Sequence, residues 1–408
     1  MEPTRRLVII GNSIAASCLL DELVDAGSSD FEITVIGQEN MLAYNRVMLP
    51  VVLSGEKTLE QISLHDAQWY SDNNIQCVLA QTITAVDRDR QVVIDTHGGE
   101  TPYDQLVFAT GAATRDIPIT GHTLPGVMAF RDMADVDTLR SIATNGCKVV
   151  VLGGGLLGLE AAASMSGNGA EVTLVHRNTH IMNRQLDAQA GQLLQSELES
   201  RGITIKLGHA PEAVLGEDCV EAVQLANGER IAADVVIQAA GISPRYSLAK
   251  DAGLDCRHAI LVNDQMRTSD DKVFALGECC EHDGTTIGLV APIRQHAAVL
   301  AQVLLGETQA AYAPSATATQ LKVSGVQLFS AGDIHADENT EELEFFAPAL
   351  SDQLPSSYRK IFINNNCIRG VVMYGDTSDS NWYFDLLQAG TDVSAIREQL
   401  LFGQAFCA

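Results

Sequence analysis

Val149-Val150-Val151-Leu152-Gly153-Gly154-Gly155-Leu156-Leu157-Gly158-Leu159-Glu160 decides the reading of this chain. Four consecutive apolar residues form a buried strand, the glycines a tight turn, and the Leu-rich continuation the first turns of a helix. Gly153 permits the turn, Gly155 lets backbone N–H groups approach a pyrophosphate, and Gly158 lets helix and strand pack closely. Phosphates then sit on the helix N-terminus, where unpaired N–H groups and the helix dipole favour an anion. A second strand, residues 171–175, follows at the distance a dinucleotide-binding β-α-β unit requires.

A weaker copy opens the chain. Leu7-Val8-Ile9-Ile10-Gly11-Asn12-Ser13-Ile14-Ala15-Ala16 is followed by an Ala- and Leu-rich helix to about residue 26 and a strand at 32–36. Ala16 is an accepted substitute for the packing glycine. Ser13 places a side chain where the pyrophosphate approaches, although its hydroxyl can bond a phosphate oxygen. Two such units in one chain predict two dinucleotides. Glu39, just past the second strand, stands where a carboxylate accepts hydrogen bonds from an adenosine ribose, with Gln38 as the competing position. In the central unit the corresponding stretch is Val175-His176-Arg177, with no acid. Arg177 can pair with the 2′-phosphate of NADP, or it is a solvated surface residue.

Three further segments end in small residues beside expected ligands. The buried strand up to Phe108 runs into Ala109-Thr110-Gly111, and the strand after Asp234 ends at Gly241. Such ends let backbone come close to a ligand. Residues 268–278 form a strand ending in Gly277-Glu278, a carboxylate placed to accept hydrogen bonds from a polyol such as the ribityl chain of a flavin. Ala291-Pro292 opens a helix to about residue 305, whose N-terminus offers partial positive charge to the pyrimidine end of a flavin ring. Cys279-Cys280-Glu281-His282 invites a metal reading, but adjacent cysteines chelate poorly, and no metal site is expected.

The bulk composition sets the class. The chain has 408 residues, 46% hydrophobic and 19% charged, enough for two or three domains. No apolar run is long enough to span a bilayer, and the residues before Leu7 are too few for a signal-peptide core, so a cytoplasmic protein without membrane attachment is expected. A net charge of −26 argues against nucleic acid or anionic lipid as a partner. The nine cysteines form no CxxC pattern. From residue 316 the pattern changes: alternation over 320–328, 358–363 and 368–373 predicts an antiparallel sheet, followed by helices at 380–388 and 393–402. The expected architecture is α/β. It has two Rossmann-like domains, one inserted in the other, at 1–116 with 244–312 and at 117–243, plus a small α+β domain at 316–408.

In this order the three motifs resemble those of pyridine nucleotide–disulfide oxidoreductase-type flavoproteins, over nearly the whole chain. The resemblance implies FAD at residues 11–16 and 274–278 and a nicotinamide cofactor, NAD(P)H, at 153–160. Tyr44-Asn45-Arg46, Leu53-Ser54-Gly55-Glu56-Lys57, Arg184-Gln185-Leu186-Asp187, Gly277-Glu278-Cys279 and Gly288-Leu289-Val290-Ala291-Pro292 resemble the FAD-containing N-terminal part of the NAD(P)H-dependent nitrite reductase large subunit. The C-terminal segment is similar to the small domain shared with rubredoxin reductases. Ser13 and Glu278 depart from the usual FAD pattern, though Glu278 fits the nitrite reductase one. The redox-active cysteine pair of the disulfide reductases is missing, as is the Lys that rubredoxin and ferredoxin reductases carry near residues 48–52. The cysteine clusters of the iron–sulfur and sirohaem domains, expected beyond residue 408, are also absent from the chain.

The resemblance therefore implies an FAD-dependent NAD(P)H oxidoreductase that passes electrons to a redox protein, nitrate or nitrite reductase being preferred over a rubredoxin-like acceptor. Glu160 either orients the nicotinamide carboxamide or caps its helix; Arg46 lies near the flavin and its phosphates or on the surface. A reading of another class, a nucleotide-binding regulatory subunit without turnover, rests on Ser13 alone. The oligomeric state stays open, a homodimer included.

Overall fold

A computed structural model describes residues 4–407 apart from 28–29, 143–145, 315, 317, 324 and 350–355. The chain forms two compact units, Met1–Ala113 with Ile242–Pro314, and Thr114–Gly241 with Ser315–Ala408. Among the described residues no helix is long and apolar enough to cross a membrane.

The first unit is built on β1 (Arg5–Ile10), α1 (Ile14–Asp25) and β2 (Phe31–Ile36). Its five-stranded sheet runs Val273–Ala275, Gln105–Phe108, β1, β2, Ile75–Val78, all parallel. Parallel strands covered on both faces need unbroken apolar runs, which is what residues 7–10 and 106–108 supply. In the pairing, Ile9 lies opposite Val35 on one side and Val107 on the other, and Val107 lies opposite Phe274. Leu19, Leu20 and Leu23 of α1 join the same core as Ile293, Ala297 and Leu300 of the helix Val290–Leu304. Each such buried Leu or Ile side chain contributes about 1.5–3 kcal/mol.

The second unit repeats the plan with β3 (Lys148–Leu152), α2 (Leu156–Gly167) and β4 (Glu171–His176). Its parallel sheet runs Thr204–Leu207, β4, β3, Val235–Gln238, Val127–Met128. Both sheets therefore carry the α/β dinucleotide-binding arrangement, with each glycine turn at the carboxyl end of a central strand.

The C-terminal part of this unit is an antiparallel sheet of five strands, with the helix Ser380–Ala389 following it. Here the sequence reading needs correction. The alternation over 320–328 is not one strand: the chain turns back between Ala318–Val323 and Val326–Gly332, with Gly325 at φ +86°. The edge strand Glu341–Ala347 was not expected. Residues 393–402 form two short 3-10 turns, Ser394–Ile396 and Leu400–Phe402, instead of one helix.

Candidate functional site

In the first glycine turn, the Gly11 N–H donates to Ile36 O at 2.8 Å, which ties the turn to the end of β2. Gly11 has φ +113°, and a Cβ there would lie 2.1 Å from Ala109 O, so only glycine fits between the two strand ends. Ser13 is the N-cap of α1, yet its side chain accepts no hydrogen bond from the helix, and the first turn holds no acid. The amides that begin this helix thus keep both their donors and their dipole for an external anion.

The Ser13 hydroxyl has a different partner. Nε of Arg46 donates to Ser13 Oγ at 2.9 Å, while its Nη2 pairs with a Glu39 carboxylate oxygen. The other Glu39 oxygen accepts from the Tyr44 hydroxyl at 2.7 Å, and the Arg46 guanidinium lies 5.0 Å from the centre of the Tyr44 ring. Ser13, Glu39 and Arg46 are therefore one cluster beside the N-terminus of α1. The sequence proposed all three separately; Tyr44, which holds Glu39, entered only within the stretch Tyr44-Asn45-Arg46 and without a role of its own. A phenol five residues past a carboxylate gives no periodic signal.

The distant segments converge on the same turn. Gly277 packs directly behind α1, where a Cβ would stand 2.9 Å from Ala15 Cβ. The nearest atom to a Cβ built on Gly111 is Glu278 Oε2, at 3.9 Å. Thr110 Oγ1 donates to Arg245 O at 2.7 Å, fixing the strand end before Gly111. Ala16 is fully buried against the sheet. Pro292 lies buried in the first turn of Val290–Leu304, whose N-cap Leu289 offers no side-chain bond. The Cys279 and Cys280 thiols are buried and donate to the carbonyls of Phe108, Leu276 and Gly277. Burial pushes both thiols up from their ordinary pKa, which keeps them protonated.

The second turn is tighter. Gly153 has φ +127°, and its N–H donates to Val175 O at 2.9 Å. A Cβ on Gly158 would meet Gly153 O at 1.9 Å, which shows how closely α2 is drawn onto the turn. A Cβ on Gly155 would meet nothing within 4 Å. Gly155 is also the N-cap, so open space lies directly beside bare helix amides with no acid in the first turn. Gly241 closes the strand end alongside, and its carbonyl accepts from Arg115 N at 2.9 Å.

Glu160 is half-buried in the second turn of α2, and burial alone pushes its carboxyl up to about 7. Arg177 is exposed just past β4. His176, which the sequence reading passed over, accepts the Gly154 N–H on Nδ1 at 3.1 Å and places Nε2 3.1 Å from Asn183 Oδ1. Its signal was positional: it occupies the end of the second strand, where an acid is the usual residue.

Two open glycine turns on uncapped helices, each at a strand end of a parallel sheet, fit two dinucleotides. Comparison with known proteins agrees. The family profile described as pyridine nucleotide-disulphide oxidoreductase matches residues 5–311, and that of the rubredoxin NAD+ reductase C-terminal domain matches 318–391. The chain belongs to the pyridine nucleotide–disulphide oxidoreductase family. Members of that family are flavin-dependent NAD(P)H oxidoreductases that bind FAD and NAD(P)H.

Over 96% of its length the chain is 40% identical to nitrite reductase [NAD(P)H] of Bacillus subtilis, covering 48% of that protein. Over 97% of its length it is 35% identical to the assimilatory nitrate reductase electron transfer subunit of the same organism, covering 51% of it. The chain thus spans about half the length of these curated relatives. Among solved structures it is similar to the covalent putidaredoxin reductase–putidaredoxin complex, with a TM-score of 0.86 at 23% identity, covering 99% of this chain and 96% of that one. That likeness shows the fold.

Proposed function

We propose that this chain is the electron-transfer component of assimilatory nitrate or nitrite reduction, oxidising NAD(P)H and delivering electrons to a partner redox protein. The supporting observation is the similarity, over nearly the whole chain, to a protein named as the electron transfer subunit of assimilatory nitrate reductase.

In this reading the residues divide into two holding sites. Gly11, Ser13, Ala16, Glu39, Arg46, Thr110, Gly111, Gly277, Glu278 and Pro292 hold FAD; the bare amides of α1 and the Arg46 guanidinium meet its pyrophosphate. Glu39 accepts from the adenosine ribose in place of one of its present partners, and Glu278 accepts from the ribityl chain. Gly153, Gly155, Gly158, Arg177 and Gly241 hold NAD(P)H, with the open side of Gly155 facing its pyrophosphate. Bound FAD supplies the chemistry, accepting a hydride and releasing single electrons. The protein binds, orients and shields. Glu160, with its carboxyl near neutrality, is protonated or ionised at little cost and orients the nicotinamide amide by hydrogen bonding. The regulatory reading rests on Ser13 alone, and that hydroxyl accepts from Arg46 and makes no side-chain cap on α1.

The test is anaerobic reduction of the FAD-loaded protein by NADH or NADPH, followed by mixing with the oxidised partner nitrate reductase. Reoxidation of the flavin with formation of nitrite from nitrate is the expected result. Reduction by nucleotide without transfer to that partner removes the nitrate assignment and favours a rubredoxin-like acceptor, the reading supported by the C-terminal domain match.

A further inference from the structure

Acidic side chains outnumber basic ones two to one in this chain, 52 against 26. Residues 172–186 nonetheless contain no carboxylate, while holding His176, Arg177, His180 and Arg184. This stretch begins in β4 and leads away from its carboxyl end, the edge that faces the adenosine ribose in a dinucleotide-binding unit.

His176 sits at the deciding position with both ring nitrogens engaged. A backbone N–H can only donate, so the Gly154 N–H fixes Nδ1 as an acceptor at 3.1 Å. The ring proton then lies on Nε2, which donates to Asn183 Oδ1 at 3.1 Å. Burial, with some help from the Arg177 charge, lowers the imidazole pKa and keeps the ring neutral. A carboxylate here would accept from the 2′-hydroxyl and repel a 2′-phosphate. The locked imidazole does neither. Arg177 and Arg184 are exposed and, among the described residues, make no ion pair with the protein.

We propose that the end of β4 selects the 2′-phosphorylated nucleotide, NADPH over NADH, with His176 as the specificity-determining residue and Arg177 and Arg184 as the phosphate partners. This rests on the proposed placing of the nucleotide at residues 153–158. His176 acts by withholding: it denies the 2′-hydroxyl an acceptor while holding the glycine turn in shape through Gly154. The two guanidiniums supply charge-assisted hydrogen bonds that only the phosphorylated ribose can use.

The experiment is calorimetric titration of the FAD-loaded protein with adenosine 2′,5′-bisphosphate and with 5′-AMP, neither of which can be turned over. The wild-type protein is expected to bind the bisphosphate at least tenfold more tightly. Arg177→Ala should cut bisphosphate affinity about tenfold and leave 5′-AMP within twofold. His176→Asp should abolish or reverse the preference. His176→Asn, whose amide oxygen can still accept from Gly154 without adding charge, should retain it, which separates a charge effect from collapse of the turn. Equal wild-type affinities, or a His176→Asp variant that keeps the preference, overturn the selectivity alone. Binding of neither ligand to the wild-type protein overturns the nucleotide site and the selectivity with it.

Discussion

Two single-methyl substitutions, three residues apart, should have opposite consequences. At Gly158 an added Cβ would lie 1.9 Å from Gly153 O, and contacts under 3.0 Å are essentially never made. To accommodate Gly158→Ala, α2 must back away from the turn by about 1 Å, and overpacking of this kind costs about 1–3 kcal/mol. The blocking atom is backbone, which cannot rotate aside, so the upper part of that range applies. At 2–4 °C per kcal/mol for a unit of this size, the melting temperature should fall by about 4–12 °C. At Gly155 nothing lies within 4 Å, and φ −86° with ψ −179° is extended backbone that alanine adopts freely. The gain from a stiffer unfolded chain, about 0.4–1 kcal/mol, roughly offsets the poorer N-cap, so Gly155→Ala should melt within about 2 °C of the wild type. If the proposed pyrophosphate site is right, the same methyl fills its space and should weaken nucleotide binding at least tenfold, about 1.4 kcal/mol. Differential scanning calorimetry and titration with NADPH on both variants read the two effects. A Gly155→Ala protein that binds nucleotide normally, or that unfolds as early as Gly158→Ala, would refute the assignment of open space at one glycine and close packing at the other.

Arg46→Ala should weaken FAD retention at least tenfold in equilibrium dialysis, and Ser13→Gly by less than about threefold, since Arg46 keeps its Glu39 pairing in the second variant. Comparable losses would mean that the serine contributes as much to holding FAD as the arginine does. Glu160 predicts a pH dependence. Its folded-state pKa of about 7 exceeds the ordinary 4.5, so between those values the folded protein holds a proton that the unfolded chain has released. Stability from this group is greatest below about pH 4.5 and is lost as pH rises through 7, by at most about 3 kcal/mol. Glu160→Gln should therefore flatten the melting profile between pH 5 and 8 and gain on the wild type at the alkaline end. FAD at a hundred times its dissociation constant should stabilise the protein by about 2.7 kcal/mol, measured by chemical denaturation with and without the cofactor.

The two β-α-β units were legible because their signals are local: an apolar run, a glycine turn and a helix lie within a dozen residues at 149–160 and again at 7–16. What joins the segments was not. Gly277 packing behind Ala15 and Glu278 beside Gly111 depend on chain closure over more than a hundred residues. Ser13 read as a defect because its partner, Arg46, is 33 positions away. The strand Glu341–Ala347 escaped notice for another reason: Phe345 and Phe346 are adjacent and both exposed, so the strand lacks the alternation of a half-buried one. At residues 393–402 the apolar spacing matched a helix, but the chain forms two isolated 3-10 turns, the second ended by Gly403 at φ +90°.

The order of strands in the first sheet also imposes a timetable on synthesis. Gln105–Phe108 is an inner strand whose outer neighbour, Val273–Ala275, is encoded 165 residues after Phe108. At 5–20 residues per second the ribosome needs roughly 10–30 s to supply it, and for that interval an apolar strand edge stands unpaired. The intervening segment shortens the chain to be closed if it folds first. The N–H of Arg115 donates to Gly241 O, so the insertion leaves and returns at nearly one point and acts as a short loop in the closure entropy. Nested assembly, the inner sheet preceding completion of the outer one, is thus the order with the smaller closure cost. Chaperone demand should fall on nascent chains that end between these two strands.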